Sequence, residues 1–305
     1  MSGVTGWRAD VLGAARPLRG VLGMAVPRLP PRRELIDMRV SVVIPALNEA
    51  GNIGRLVEET YAAVPADILA EVIVVDDCST DGTAAEIKTL LARETLPGLR
   101  YLRHGERSGQ SAAVRTGVFA ATSPVVATMD GDGQNNPRDL PRLIDRLSPP
   151  GGSGPALVGG IRTDRQADGS KRFASRAANW IRDRVLRDDC PDTGCGIKVF
   201  WREAFLRLPY FSGMHRYLPA LFQTYGHGTA YVPVSDRPRV AGISKYSNLG
   251  RALIGVYDLI GVSWLRKRTR VPMIVEDLPE GRQVSDLASR MGRRGDAGRR
   301  AGDHT

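Results

Sequence analysis

The sequence lacks three features, and each absence narrows the class of protein. It has no run of about 18 consecutive apolar residues, so we predict no transmembrane helix. Its three cysteines, Cys78, Cys190 and Cys195, form neither a C-x-x-C pair nor a disulfide framework, which favours packing roles in a reducing cytoplasm. Aromatic residues make up only 6% of the chain and no zinc-finger spacing is present, so we expect no nucleic-acid partner.

Positive charge is what the chain has in excess. The formal net charge is +10 over 305 residues, which predicts a polyanionic partner such as a phosphorylated substrate or an anionic membrane surface. Apolar residues make up 42% and charged residues 25%, as in a globular protein with a sizeable core.

Short β-branched runs alternate with amphipathic stretches from residue 39 onward. This alternation predicts an α/β fold with a doubly wound, mainly parallel sheet and helices on both faces. Ligands of such sheets bind beyond the carboxyl ends of the strands. We predict strands at 40–44, 71–75, 99–103 and 124–129, the first ended by Pro45, and helices at 52–63, 82–94 and 108–121.

The segment after the first strand, from Pro45 to Glu49, has two interpretations. Asn48 and Glu49 suit the first turn of the next helix and so are candidate caps. Alternatively, the backbone near Leu47 and the Glu49 carboxylate lie beside the base and ribose of a nucleotide.

The turn after the second strand carries more carboxylates than a helix cap requires. A cap uses one oxygen, whereas Asp76, Asp77 and Asp81 offer three carboxylates. We expect the surplus to hydrogen-bond base N–H groups or ribose hydroxyls, with Asp77 favoured and Asp76 the second choice.

Asp130 and Asp132 flank a glycine where the fourth predicted strand ends. Two carboxylates at this spacing can share one hard divalent cation and leave positions for phosphate oxygens. A calcium loop is excluded because its sixth and twelfth positions are Asn135 and Pro141 instead of Gly and Glu. A bare turn with aspartate caps stays open.

The three segments, in this order and at these intervals, resemble the nucleotide-sugar-binding half of the family-2 glycosyltransferases. Within that family, later segments resemble the dolichyl- and polyprenyl-phosphate sugar transferases of the dolichol-phosphate mannosyltransferase type. The resemblance covers about residues 39–268 and implies a GT-A fold. The later segments are 159–162, 171–172, 192–200, 215–219 and 237–246.

The resemblance also implies roles for individual residues. Asp130 and Asp132 would hold Mg²⁺ or Mn²⁺, with Gln134 close by. Four basic residues would contact phosphates of donor or acceptor: Arg162, Arg172, Arg239 and Lys245. Residues that would bind the nucleotide sugar are Pro45, Leu47, Asn48, Glu49, Asp76, Asp77, Gln110 and Gln134.

The implied reaction is inverting transfer of a sugar from a nucleotide diphosphate sugar, GDP-mannose or a UDP-sugar, to polyprenyl phosphate. A phosphate monoester, with a second pKa of ~6, arrives anionic and needs a cationic cradle rather than a general base. His215 fits either a base or a packed histidine. The alternatives are a transferase acting on a glycan or soluble hydroxyl, and a nucleotide-binding adaptor with a degenerate site.

One stretch near the end of the sequence bears on where the protein acts. The stretch 249–268, with a basic end, has the composition of an amphipathic helix lying on an anionic membrane, and a core-packing helix is the alternative. We therefore expect a cytoplasmic protein peripherally bound to the inner membrane. We expect the chain to have four parts. They are a flexible extension at 1–37, a catalytic domain at 38–235 with its nucleotide-sugar half at about 38–137, a phosphate-contacting loop and amphipathic helix at 236–270, and a disordered tail at 271–305.

Overall fold

The computed structural model describes residues 38–149, 153–162, 182–238 and 248–272. Within them one sheet has seven strands in the order β3-β2-β1-β4-β6-β5-β7. The strands are β1 Val40–Ala46, β2 Leu69–Asp76, β3 Leu99–Arg103, β4 Val125–Thr128, β5 Pro155–Arg162, β6 Lys198–Trp201 and β7 Gly228–Val234.

Helices connect the strands in the alternation that the sequence predicts. Because β-α-β crossovers are right-handed, the reversal of strand order beside β1 places the helices after β1 and β2 on one face and the helix after β3 on the other. The predicted α/β fold with a mainly parallel sheet is confirmed. The helices are α1 Ile53–Ala63, α2 Thr83–Ala92, α3 Gln110–Ala120, α4 Leu140–Arg146, α5 Arg202–Leu206, α6 Leu218–Thr224 and α7 Asn248–Arg268.

The edge of the sheet at the carboxyl ends of β1, β2 and β4 is where the polar segments meet. These strands are parallel, so all three end at one edge, and the order reverses between β1 and β4. Strand β6 is antiparallel to β4 and pairs Lys198 with Thr128, so β6 begins where β4 ends. Strand β5, antiparallel to β6, ends at the same edge with Arg162.

Strand β1 extends further than predicted. The structure continues it through Pro45 to Ala46, where the sequence suggested an end before the proline. The Val43 carbonyl accepts a hydrogen bond from Met129 N–H, at the end of β4. Backbone polar groups two residues apart in a strand point to the same side, so the backbone nitrogen of Pro45 also faces β4. The ladder to β4 stops at the Val43–Thr128 pair, so the missing N–H of Pro45 costs no ladder bond.

The centre of the sheet is apolar on both sides. Strand residues Val42, Val43, Ile44, Ile73 and Val126 are fully buried. Such continuous apolar runs are typical of parallel strands covered on both faces. This rigid core fixes the position of the residues at its carboxyl edge.

One buried carboxylate connects three elements inside this core. Glu71 of β2 accepts hydrogen bonds from Ser41 Oγ (2.7 Å), Thr122 N–H (2.7 Å) and Arg100 Nη1 (2.6 Å). Burial by itself would raise the pKa of Glu71, but the hydrogen bonds from Thr122 and Arg100 outweigh it and lower the pKa.

Helix α7 reaches the length predicted for it. None of the helices in the described ranges is long and apolar enough to cross a membrane. Val262 on one side is buried against the domain. The opposite side exposes Val256, Tyr257, Ile260 and Trp264. Helix α7 therefore packs on the domain with one face and leaves an apolar face open.

Candidate active site

Asp130 and Asp132 lie in a tight turn just beyond β4. Asp132 is buried and Asp130 half-buried. Asp130 N–H donates to Asn135 Oδ1 (2.9 Å), and Asp132 Oδ1 accepts from Gln134 N–H (3.1 Å). The local hydrogen bonds therefore fix the backbone that carries both carboxylates.

Two glycines allow other segments to approach this turn. A Cβ on Gly131 would lie 2.8 Å from the Pro45 carbonyl oxygen, and a Cβ on Gly196 would lie 2.3 Å from the Asp130 carboxylate carbon. Both distances are too short for a real methyl group. The absence of a side chain at Gly196 thus makes room for the Asp130 carboxylate.

The electrostatics around Asp130 suit a cation. Burial raises the pKa of Asp130, and repulsion from the neighbouring Asp132 carboxylate raises it further. The positive charges of Lys198 and Arg162 offset part of this effect. A cation bound between the carboxylates would relieve the same repulsion.

The carboxylate pair fits Mg²⁺ or Mn²⁺ by its chemistry. Across the described ranges, no group of three or more His, Cys, Asp or Glu residues is placed to hold a metal ion. Mg²⁺ does not require one, because it is commonly held by one or two carboxylates together with waters and substrate phosphates. Asp130 and Asp132 supply that number of oxygen ligands.

Lys198 is a site residue to which the sequence argument gave no role. It is buried at the start of β6, where its ammonium group donates to the Cys195 carbonyl. Its charge acts on Asp130, and both residues line one pocket. In the sequence, Lys198 is recognisable only as a lysine at the start of an apolar run. The antiparallel pairing of β6 with β4 is what brings it to the pocket that contains Asp130.

Arg162 reaches this edge but already has a partner. Its guanidinium makes two parallel hydrogen bonds to Asp192, Nε to Oδ2 at 2.8 Å and Nη2 to Oδ1 at 2.9 Å. The hydrogen bonds to Asp192 raise the pKa of Arg162 despite its burial. A phosphate contact by Arg162 stays a prediction.

The three other predicted phosphate contacts, Arg172, Arg239 and Lys245, lie outside the described residues. Their roles therefore stay predictions.

The two glutamines of the site differ in their contacts. Gln110, the first residue of α3, donates its amide N–H to Asp130 Oδ1 at 2.7 Å. The Gln134 amide lies 3.5 Å from the Arg237 carbonyl, and Arg237 N–H donates to the Gln134 carbonyl (3.0 Å). Gln134 thus connects the Asp130 turn to the chain after β7, and its role as a metal neighbour stays a prediction.

The loop after β1 contacts the loop after β2. Asn48 has left-handed backbone geometry (φ 53°), and its Oδ1 accepts from Thr80 N–H at 2.7 Å. Glu49 N–H donates to Thr83 Oγ1 at 2.8 Å. These contacts hold the loops after β1 and β2 together.

The interpretation of Asn48 and Glu49 as side-chain caps of α1 is wrong. The Glu86 carboxylate of α2 accepts the N–H groups of Gly51 (2.8 Å) and Gly54 (3.0 Å) at the start of α1. A long-range carboxylate therefore satisfies donors that the sequence argument assigned to a local cap.

Asp76 is hydrogen-bonded within the protein. Its carboxylate is fully buried, accepts Tyr101 O–H at 2.5 Å and Ser79 N–H at 2.7 Å, and lies 3.8 Å from Arg103. Internal donors therefore use this carboxylate, and the expectation that Asp76 contacts a nucleotide stays a prediction.

Asp77 holds the start of α3. Its carboxylate accepts the N–H groups of Ser108 and Gly109, each at 2.8 Å, and contacts His104 Nδ1 at 2.8 Å. Gly109 has left-handed geometry (φ 90°) and directly precedes Gln110. Asp77 therefore positions the residue that hydrogen-bonds Asp130, while direct contact with a nucleotide stays a prediction.

Asp130, Lys198 and Gln110 thus meet at the reversal point of a mainly parallel sheet, the ordinary ligand position of such sheets. Residues 41–208 match the family model described as glycosyl transferase family 2. The chain belongs to this family of glycosyltransferases. The resemblance noted from the sequence is confirmed.

Two curated relatives align with this chain over more residues than the family model does. The chain is 30% identical over 234 residues to the dodecaprenyl-phosphate galacturonate synthase of Rhizobium johnstonii, covering 76% of this chain and 68% of that protein. It is 31% identical over 225 residues to the undecaprenyl-phosphate 4-deoxy-4-formamido-L-arabinose transferase of Sodalis glossinidius, covering 73% and 67%. Matches thus span about two thirds of these relatives' length.

Solved structures support the fold. The chain resembles glucosyl-3-phosphoglycerate synthase from Mycobacterium tuberculosis in complex with Mg²⁺ and uridine diphosphate, with a TM-score of 0.58 and 20% identity. That match covers 80% of this chain and 83% of the other. The same enzyme in complex with Mn²⁺, uridine diphosphate and phosphoglyceric acid matches with a TM-score of 0.58 at 21% identity. These likenesses confirm the GT-A fold.

Proposed function

We propose that this glycosyltransferase moves a sugar, with inversion, from a nucleotide diphosphate sugar to polyprenyl phosphate. The observation that carries the proposal is the carboxylate pair at the reversal point of the sheet, with buried Lys198 beside Asp130. The names of the curated relatives, a dodecaprenyl-phosphate and an undecaprenyl-phosphate sugar transferase, support the lipid acceptor.

The residues at the reversal point act on the donor's diphosphate. Asp130 and Asp132 would hold Mg²⁺ or Mn²⁺, which when bound offsets the charge that develops on the departing diphosphate. Lys198 adds a fixed positive charge in the same pocket. Gln110 holds the Asp130 carboxylate in position through its 2.7 Å hydrogen bond.

The acceptor needs little help from a base. A phosphate monoester has a second pKa of ~6 and is largely dianionic at neutral pH. Its oxygen can therefore attack the anomeric carbon without losing a proton. The basic character of the chain, with a net charge of +10, favours such an acceptor.

Helix α7 supports action at a membrane surface. Its outer face exposes Val256, Tyr257, Ile260 and Trp264, of which Tyr257 is 80% exposed. The last turn carries three cations, Arg266, Lys267 and Arg268. An apolar face with a basic end binds anionic bilayers in the interfacial plane, where the phosphate of a polyprenyl phosphate lies. We place this surface at the cytoplasmic face of the inner membrane.

The test uses purified protein, a panel of GDP- and UDP-sugars, undecaprenyl phosphate in detergent and Mg²⁺, with mass spectrometry of the lipid fraction. We expect one nucleotide sugar to give a lipid-linked sugar that mild acid hydrolyses. Asp130→Asn and Asp132→Asn should abolish the product. Asp145→Asn is the matched control because Asp145 is an exposed carboxylate on α4.

Two outcomes of this assay would contradict the proposal. Sugar transfer to an added glycan or soluble hydroxyl acceptor, without lipid product, would identify the alternative transferase. Absence of any released nucleoside diphosphate with every donor, from folded protein, would favour a nucleotide-binding adaptor.

A further inference from the structure

His215 is held by one buried hydroxyl group. Ser111 of α3 is buried, and its Oγ lies 2.7 Å from His215 Nδ1. The same oxygen accepts the N–H groups of Gly213 (3.1 Å) and of His215 itself (3.3 Å). Ser111 therefore fixes both the backbone of this turn and the imidazole ring that it carries.

These contacts favour one tautomer of the ring. A serine hydroxyl has one hydrogen to donate and two lone pairs to accept with. The two backbone N–H groups use both lone pairs of Ser111, so its hydrogen points to His215 Nδ1. Nδ1 is then the acceptor, and the proton of the neutral ring resides on Nε2.

The other ring nitrogen, Nε2, is not used by Ser111. His215 lines the pocket with Asp130, Lys198 and Gln110. Among the residues that the structure describes, Nε2 has no hydrogen-bond partner. Burial, followed by the positive charges of Arg216 and Lys198, lowers the pKa of His215 to about 3, so the ring stays neutral.

We propose that His215 is a substrate-binding residue that donates its Nε2–H to an oxygen of the nucleotide sugar in this pocket, and that it is not a general base. This inference rests on the proposed function for the identity of the ligand. The donor is the expected partner because the pocket contains Asp130, which the proposed function assigns to the metal that binds the donor's diphosphate. A protonated Nε2 cannot accept a proton from an acceptor, which decides the alternative left open by the sequence.

The tautomer is tested without turnover by ¹⁵N NMR of histidine-labelled protein. The chain has four histidines, and the signals lost in His215→Gln assign this one. We expect a protonated Nε2 and an unprotonated Nδ1 at neutral pH. An Nδ1–H tautomer or an imidazolium would overturn the proposal. Because this readout needs no sugar transfer, it stays informative if the proposed function fails.

The donor contact is tested with two amide variants. The His215→Gln amide nitrogen can occupy the position of Nε2, whereas that of His215→Asn reaches only the position of Nδ1. We expect His215→Asn to raise the KM for the nucleotide sugar about tenfold, as for one lost hydrogen bond, and His215→Gln to stay within about threefold of the original. The KM for polyprenyl phosphate should not change in either.

Thermal unfolding of both variants checks that they fold. Equal donor KM values for folded His215→Asn and His215→Gln would overturn the proposal. A change confined to the KM for polyprenyl phosphate would also overturn it, because the ring would then contact the acceptor.

Discussion

Replacement of Gly196 by alanine tests the geometry at Asp130 most sharply. The added Cβ would lie 2.3 Å from the Asp130 carboxylate carbon and 2.3 Å from its Oδ2. Ordinary carbon contacts need ~3.5 Å, so the carboxylate must move by roughly 1 Å. A displacement of that size in a catalytic group lowers kcat/KM on the order of 10²-fold.

The stability of Gly196→Ala should change little, which separates the catalytic effect from misfolding. Replacing glycine by alanine at a compatible backbone adds about 0.4–1 kcal/mol, and this offsets part of the local repacking. The measurements are kcat/KM with a saturating lipid acceptor and the urea midpoint of unfolding. Gly82→Ala is the matched control, since its Cβ would meet only Ala50 Cβ, at 3.5 Å. A folded Gly196→Ala with unchanged kcat/KM would refute the reasoning.

Three further predictions concern stability and membrane binding. Asp77→Asn should lower the free energy of unfolding by ~1–3 kcal/mol, measured in urea, because an amide cannot accept all three donors; an unchanged midpoint would contradict this. The pKa of Glu71 in the folded protein lies below its ordinary value of 4.5. The ionised carboxylate therefore contributes its full share to the free energy of unfolding above pH 4.5, and this contribution is lost as the pH falls through the folded-state pKa. Glu71→Gln should therefore be less stable than the original at neutral pH and lose less on acidification, and parallel curves of unfolding free energy against pH would count against it. The double variant Ile260→Ser with Trp264→Ser should weaken co-sedimentation with anionic vesicles at least about tenfold, whereas Phe119→Ser, exposed on α3, should not; equal losses would remove the role of α7.

The features that sequence reasoning predicted well are those carried by contiguous residues. The strand run before Asp130 and the carboxylates in the following turn lie within a few positions of each other, so their place at a strand end follows from the local pattern. The β-α alternation likewise fixes parallel strands and a common carboxyl edge. The ends of strands differed from the prediction where strand pairing decides them. Strand β1 continues through Pro45 because the backbone nitrogen of Pro45 lies beyond the end of the ladder to β4.

The features that sequence reasoning missed depend on contacts between distant segments. Lys198 and Gly196 reach Asp130 only because β6 runs antiparallel to β4, and the sequence does not show that direction. A count of carboxylates also did not reveal that Tyr101 of β3 donates a hydrogen bond to Asp76. The Arg162–Asp192 pair is similar, since it joins two segments 30 positions apart.

Binding of Mn²⁺, followed by electron paramagnetic resonance in the presence of a nucleoside diphosphate, tests the central claim most directly. The original protein and Asp145→Asn should each bind one Mn²⁺ with nucleotide-dependent affinity, because Asp145 is an exposed carboxylate near the end of α4 and is not one of the proposed metal ligands. Asp130→Asn and Asp132→Asn should lose this binding while their unfolding midpoints stay close to that of the original. Undiminished Mn²⁺ binding in both aspartate variants would contradict the assignment of the carboxylate pair.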